Sequence, residues 1–370
     1  MRPARKRLAD QLRLPYGFAM KRLPERTEVF DSYWRFAAER LAIYYRRIGD
    51  PIGPWTADPV LSAHRFTNTY RAADRVSQYL IREVQYRDDR SQAPAEVFFR
   101  TLLFKIFNRI ETWEKLERVL GPVSWQSADL HAVNETLNRF INAGQRIYSA
   151  AYIMPSPTLG HLRKHANHLA MLKSMMEDGL PGKLAVAPSL EAAYKMILAY
   201  PGLGPFLAFQ YAIDLNYSTL LEFDEDEFVV AGPGALDGIS KCFREVDMDP
   251  AIIIRLMVDR QEEEFANLGI SFSGLFGRRL KSIDCQNLFC EISKYARAAH
   301  PNVRGISGRT RIKQRYDAAN AGAPPKPFFP PKWQIEVSLP EVPSLTGQKG
   351  LKQLSLDLLP QSSDIATAVQ

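Results

Sequence analysis

Between Val29 and about Ala299 the apolar residues return every three to four positions, a period that a helix satisfies and a strand does not. In the first stretch Phe30, Tyr33, Trp34, Ala37, Leu41 and Tyr44 share one side of a helix, with Arg and Glu between them. The pattern continues through residues 67–84, 95–120, 130–151, 159–176, 190–200 and 251–267. Turn signals part these stretches: Gly49-Asp50-Pro51 to Pro54, Gly121-Pro122, Pro155-Ser156-Pro157, and Gly179 to Pro188. Strand-like runs are few and short, Phe228-Val229-Val230 being the best of them. The predicted fold class is all-α. A chain of 370 residues with 46% hydrophobic content supports one large helical domain, placed at residues 30–316 behind a basic N-terminal arm at 1–29. Beyond Asp317 the composition changes. The run AGAPPKPFFPP at 321–331 can neither continue a helix nor enter a sheet interior. Residues 317–370 therefore read as a Pro-rich linker and a mostly disordered tail, in which Trp333 and Leu358 leave room for one docking segment.

No run of about 18 apolar residues occurs, so no membrane association is expected. The basic start, MRPARKR, has no apolar stretch behind it and does not read as a secretory signal. Cys242, Cys285 and Cys290 lack paired CxxC spacing, which argues for a reducing compartment, cytoplasmic or in a eukaryote nuclear, and against a structural zinc or iron–sulfur site. His161, His165 and His168 stand at i, i+4 and i+7 without an acid at fitting spacing, and read as a polar helix face. No cofactor is expected, and the need for a metal is left open.

The net charge of +7 is local. Residues 1–26 carry Arg2, Arg5, Lys6, Arg7, Arg13, Lys21, Arg22 and Arg26 against Asp10 and Glu25. Residues 295–316 carry Arg297, Arg304, Arg309, Arg311, Lys313 and Arg315 with no acid. Two concentrated patches suit a polyanion, although basic arms that bind nothing specific are common. Arg309, Arg311, Lys313 and Arg315 are the predicted DNA contacts.

The sharpest motif is Tyr200-Pro201-Gly202-Leu203-Gly204-Pro205, where one apolar helix ends and another begins. Gly202 and Gly204 permit a tight turn and leave backbone N–H groups at a helix start, where a phosphate oxygen fits; a plain turn between two helices reads the same way. After it come Asp214-Leu215-Asn216-Tyr217 and the acidic run Asp224-Glu225-Asp226-Glu227 between Phe223 and Phe228. Carboxylates within apolar flanks are costly unless solvated, metal-bound or used in catalysis, so Asp224, Glu225 and Asp214 are the candidate catalytic acids. Gly232-Pro233-Gly234 entering a helix, with Lys241 following, offers a second nest of N–H groups beside a cation. It lacks the Gly-Lys-Ser/Thr ending of a nucleotide-binding loop, and none occurs elsewhere. Arg65, Asn68, Arg71 and Arg75 lie on one predicted helical segment, with Arg71 and Arg75 on one face at i, i+4. Glu291, Lys294 and Arg297 make a further mixed-charge stripe. Arg65, Asn68, Arg71, Arg75, Gly232, Gly234, Lys241, Lys294 and Arg297 form the candidate phosphate-binding set.

With WTADP at 55–59, RFTNTYRAADR at 65–75, FNRIETW at 107–113, AAYIM at 150–154, Gly202–Tyr217, Phe223–Phe243 and DCQNLFCEISKYAR at 284–297, the chain resembles a known family. It is the family named after the helical domain of 5-hydroxymethyluracil DNA kinases, also called α-glutamyl/putrescinyl-thymine pyrophosphorylases. The resemblance runs from about Phe30 to Arg315. It implies a helix–hairpin–helix DNA-glycosylase-like fold, with Gly202 and Gly204 gripping a DNA strand and Asp224, about twenty residues beyond the hairpin, as the catalytic aspartate. Pro205 and Phe206 stand where bifunctional glycosylases place a nucleophilic lysine, so lyase chemistry lacks its nucleophile. The implied reaction is displacement of pyrophosphate by an amine or amino acid on an activated 5-hydroxymethyl pyrimidine in DNA, after a separate DNA-base kinase has acted. A glycosylase-like hydrolase that removes a modified base, and a DNA-binding module without catalysis, are the alternatives.

Overall fold

The computed structural model describes residues 23–150, 154–317 and 322–340. The expectations for residues 1–22 and for the tail beyond 340 lie outside the described residues.

Thirteen α-helices and no strand ladder are present among the described residues, as the periodicity predicts. They are α1 (Glu28–Gly49), α2 (Pro59–Ala63), α3 (Arg75–Tyr79), α4 (Pro94–Phe107), α5 (Ile110–Leu120), α6 (Leu130–Asn142), α7 (Lys164–Glu177), α8 (Leu180–Ala185), α9 (Leu190–Leu198), α10 (Pro205–Asn216), α11 (Pro233–Cys242), α12 (Pro250–Asn267) and α13 (Ser282–Ala299). α1 starts where the Thr27 hydroxyl accepts from Val29 N, and its ends are polarised correctly, with Glu28 and Asp31 first and Arg46 and Arg47 last. Its apolar stripe packs on α11 and α13, with Tyr33 against Phe289 of α13, and Trp34 also meets Phe265 of α12. α13 is the hub, touching α1, α2, α11 and α12. It meets α11 at Gly238, where a Cβ would fall 2.0 Å from the carbonyl oxygen of Phe289, so only glycine allows this approach.

Of the long helical expectations, two are interrupted and two shortened. Residues 67–84 are extended to Tyr70, then form a 3-10 turn (Arg71–Ala73), α3 and a π-helical turn (Leu80–Gln85). Residues 95–120 divide at Asn108, which takes the left-handed conformation (φ 48°) with its side chain held by Lys105. The stretches 130–151 and 159–176 shorten to α6 and α7. Phe228, Val229 and Val230 form no strand. His165 and His168 are buried rather than on a polar face: His168 is held between the Tyr148 hydroxyl and the Pro155 carbonyl. α9 and α10 pack together, with Gly202 at φ 82° in the turn between them, close against Pro157.

The segment 322–340 is docked along the helices. Gln78 brackets Phe328 through both backbone groups, Phe329 is buried, and Trp333 lies over the Arg278 guanidinium at 3.8 Å and edge-on to Tyr217. Lys332 donates to the carbonyls of Ser218 and Leu221 beyond the end of α10, and burial pushes its ammonium down to about 8. The tail therefore contributes core contacts, and the expected docking segment is centred on Phe329 and Trp333. Phe329→Ala should destabilise the fold by about 3 kcal/mol, read as a fall in urea midpoint. A midpoint within error of wild type would show that the segment adds nothing to the core.

Candidate nucleic-acid interface

A cleft of about 970 Å³ opens between the C-terminal half of α1, α2 with the strand-like segment after it, and the start of α5. This lies at the upper end of what ligand pockets enclose, about 300–1,000 Å³. Arg40, Arg47, Arg65 and Arg75 line it, Trp55, Phe66 and Tyr316 supply aromatic faces, and Glu111 and Asp317 are its carboxylates.

The cations are held differently. Arg40 is part of the wall, donating to the carbonyls of Thr67 and Phe66 and to Asn68 Oδ1, and burial lowers its pKa. Arg47 lies over the Trp55 ring at 4.9 Å. Arg65 makes no side-chain hydrogen bond or ion pair among the described residues, and Arg75 has only a loose, exposed pair with Glu111 at 3.5 Å. Three buried polar atoms in this cleft, Nε of Arg47, Nδ1 of His64 and the Tyr316 hydroxyl, find no hydrogen-bond partner among the described residues. Each such atom costs about 1–3 kcal/mol unless solvent or a ligand satisfies it. Guanidinium groups, aromatic faces and unmet donors together suit an anionic, ring-bearing guest.

The basic C-terminal run borders the mouth. Arg65 N donates to the Gln314 carbonyl, Tyr316 N donates to that of Ala63, and His64 pairs antiparallel with Arg315. Arg309, Arg311, Lys313 and Arg315 are all exposed along this ribbon, which begins where Arg297 donates to the Arg311 carbonyl. The structure thus joins two sets that the sequence places far apart, Arg65 and Arg75 with residues 309–315.

The other predicted site residues lie elsewhere. Arg71 and Arg75 do not share a face, because the chain leaves helical geometry at Asp74 between them. Arg71 turns inward and pairs with Asp214 at 2.7 Å, and Lys105 reaches the second oxygen of Asp214 at 3.2 Å. Burial pushes the Asp214 carboxyl up, but Arg71 and Lys105 outweigh it and hold the group below the usual carboxylate range. Glu225 is buried against Arg278, and burial raises its pKa; burial and the nearby Glu225 push Asp284 up to about 7. Asp224 and Asp226 grip Lys281, and Asp226 accepts from Ser282 N, so the acidic turn fastens the start of α13. None of Asp214, Asp224 and Glu225 lines the cleft.

Lys241 is buried, donating to the Ser293 carbonyl beside Asp237, which also accepts from Ser307 N. These bonds fasten the loop that leads to the ribbon. Lys294 pairs with Glu291 at 2.7 Å and stands over Phe66, behind the cleft wall, where Glu291 accepts from Thr67 N. Asn68 braces the same wall through Arg40 and the Ala73 carbonyl. Gly232 caps α11 against the Phe206 ring, and Gly234 lies against Cys290. Sequence reasoning missed Arg40, Arg47, Trp55, His64, Glu111 and Tyr316. The available signal was that Trp55, Arg65, Arg75 and Glu111 fall in three of the stretches that carry the family resemblance, at 55–59, 65–75 and 107–113.

The model of the family described as "5-hmdU DNA kinase, helical domain" matches residues 27–305. The chain belongs to this family. A curated relative, the 5-hmdU DNA kinase of Bacillus phage SP10, is 25% identical over 298 residues, covering 75% of this chain and 46% of the relative. The chain thus spans about half the length of that relative. No solved structure matches the chain significantly. In this member of the 5-hmdU DNA kinase helical-domain family, the matched segment contains Arg40, Arg47, Arg65, Arg75 and Glu111, while the ribbon 309–315 follows it. Among the described residues no helix is long and apolar enough to cross a membrane.

Proposed function

We propose that this chain works in thymine hypermodification of DNA, binding the DNA strand along the ribbon 309–315 and receiving a phosphate-bearing 5-hydroxymethyl pyrimidine in the arginine cleft. The observation that carries this reading is the continuity of the exposed ribbon with a cleft of nucleotide size that holds unmet polar atoms. Family membership supports it, since the relative is named for a 5-hmdU DNA kinase. A base inside a duplex is out of reach of such a cleft, so the target enters extruded, its ring against Trp55 or Phe66.

The reaction that fits is displacement. An amine forms a C–N bond to the base methylene, the C–O bond to pyrophosphate breaks, and the leaving pyrophosphate takes the electron pair. Arg65 and Arg75 receive that charge, and Glu111 is the cleft carboxylate beside them that can take the amine's proton. The phosphorylation that prepares the base is assigned to a DNA-base kinase activity outside these 370 residues, which carry no Gly-Lys-Ser/Thr loop.

Binding is tested by salt dependence. Neutralising Arg309, Arg311, Lys313 and Arg315 to Gln should make the log K against log salt slope shallower by about 3.6 on duplex DNA, since each phosphate contact contributes about 0.9. An unchanged slope would remove the ribbon from the DNA surface.

A further inference from the structure

Behind Glu111 lies a second, smaller hollow of about 170 Å³, where Arg109, Lys115 and Arg146 converge over Phe140 and Ile147. Glu111 lines both hollow and cleft, so the two are neighbours across one side chain. Its two oxygens meet different cations: Oε1 is the one nearer Arg75, and Oε2 accepts from Arg109 Nε at 3.1 Å.

The remaining bonds preset the hollow. Arg109 Nη1 donates to the Arg146 carbonyl at 2.7 Å, tying the start of α5 to the loop after α6. Lys115 is steadied by Gln145 Oε1 at 2.7 Å and by the Phe140 ring. The exposed Arg146 side chain makes no hydrogen bond or ion pair among the described residues. The lining thus carries three cations against one acid, Glu111, which pairs with Arg109 and is also engaged by Arg75. The local excess is positive. A volume of 170 Å³ is below the roughly 300 Å³ at which small-molecule pockets begin, yet it admits one tetrahedral anion with water.

We infer that this hollow is a subsite for a backbone phosphate of the DNA strand next to the extruded base. The inference rests on the DNA reading above and extends it: the strand crosses the module from Arg146 and Lys115, past the cleft mouth at Arg75 and Arg65, and on to residues 315–309. A strand that feeds a base into a pocket needs its flanking phosphates held on both sides of the extruded nucleotide. The ribbon supplies one side and the hollow supplies the other. Glu111 keeps the passage between them open and directional, since its charge repels a phosphate from resting midway.

The test is the double variant Lys115→Gln/Arg146→Gln in the full chain, titrated with DNA over a range of salt. The slope should become shallower by about 1.8 on duplex DNA, and affinity at low salt should fall about tenfold. Affinity for inorganic pyrophosphate, which the cleft would take, should stay within twofold of wild type. Both substituted side chains reach solvent, and an unchanged melting curve would show that the fold survives. Charge reversal, Arg146→Glu, should weaken DNA binding further without moving pyrophosphate affinity. A double variant with the wild-type salt slope, in a protein whose ribbon variants do lose slope, overturns the subsite and leaves the DNA reading standing. Wild-type protein that binds no DNA overturns both.

Discussion

Asp214→Ala should cost about 3–5 kcal/mol of stability and leave little folded protein at 37 °C, because Arg71 and Lys105 would remain buried without their counter-charge. Arg71 is held on three further sides, by Gln210 Oε1 at Nε, by Asp284 at its backbone N, and by the Tyr217 ring. It cannot swing to water without undoing that packing. Asp214→Asn keeps the shape but not the charge, and should lose nearly as much. Since Arg71 and Lys105 hold the folded carboxyl below its ordinary range, the stabilisation is complete at neutral pH and fades as pH falls through the folded value. Wild type should therefore lose its advantage over Asp214→Asn in acid, a difference that thermal melts across pH would read. An Asp214→Asn protein that melts like wild type yet has lost turnover would instead make Asp214 a catalytic acid, as its sequence context suggests.

The second large effect is at the cleft. Arg65→Ala/Arg75→Ala should weaken binding to DNA bearing a phosphorylated or pyrophosphorylated 5-hydroxymethyluracil by roughly a hundredfold, since each charged hydrogen bond is worth about 1.5–3 kcal/mol. Plain DNA should be affected far less, because it would be held by the ribbon. Equal losses on both DNAs would make Arg65 and Arg75 ordinary backbone contacts and leave the cleft without a base to receive. Asp224→Asn in the same experiment separates two readings. The distance from the hairpin makes Asp224 catalytic, whereas its ion pair with Lys281 predicts near-normal binding and turnover with a modestly loosened start of α13.

The Lys105–Asp214–Arg71 cluster, the Glu225–Arg278 pair and the Asp224–Lys281 pair account for the three acids that the sequence marks as costly. A carboxylate among apolar residues has the same local signature whether it serves a substrate or an internal cation. Only its partner distinguishes the cases. For Asp214 the partners lie on the 3-10 turn at Arg71 and on α4 at Lys105, more than a hundred residues away along the chain.

What the sequence determined by itself was the set of properties that one stretch of chain can express alone. Helical period decided the all-α class, since a buried stripe every three to four residues is a property of each segment. Pro-Gly-Leu-Gly decided the α9–α10 turn, because the positive φ at Gly202 is a local steric matter. Tertiary structure decided which charges meet. The break at Asp74 sends Arg71 into the core and Arg75 to the surface, although helical spacing would join them. The backbone pairing of residues 63–65 with 314–316 brings the last basic run to the mouth of a cleft formed mainly from the first third of the chain. Electrostatic partnership depends on distance in space, and spacing along the chain reports it only within one helix.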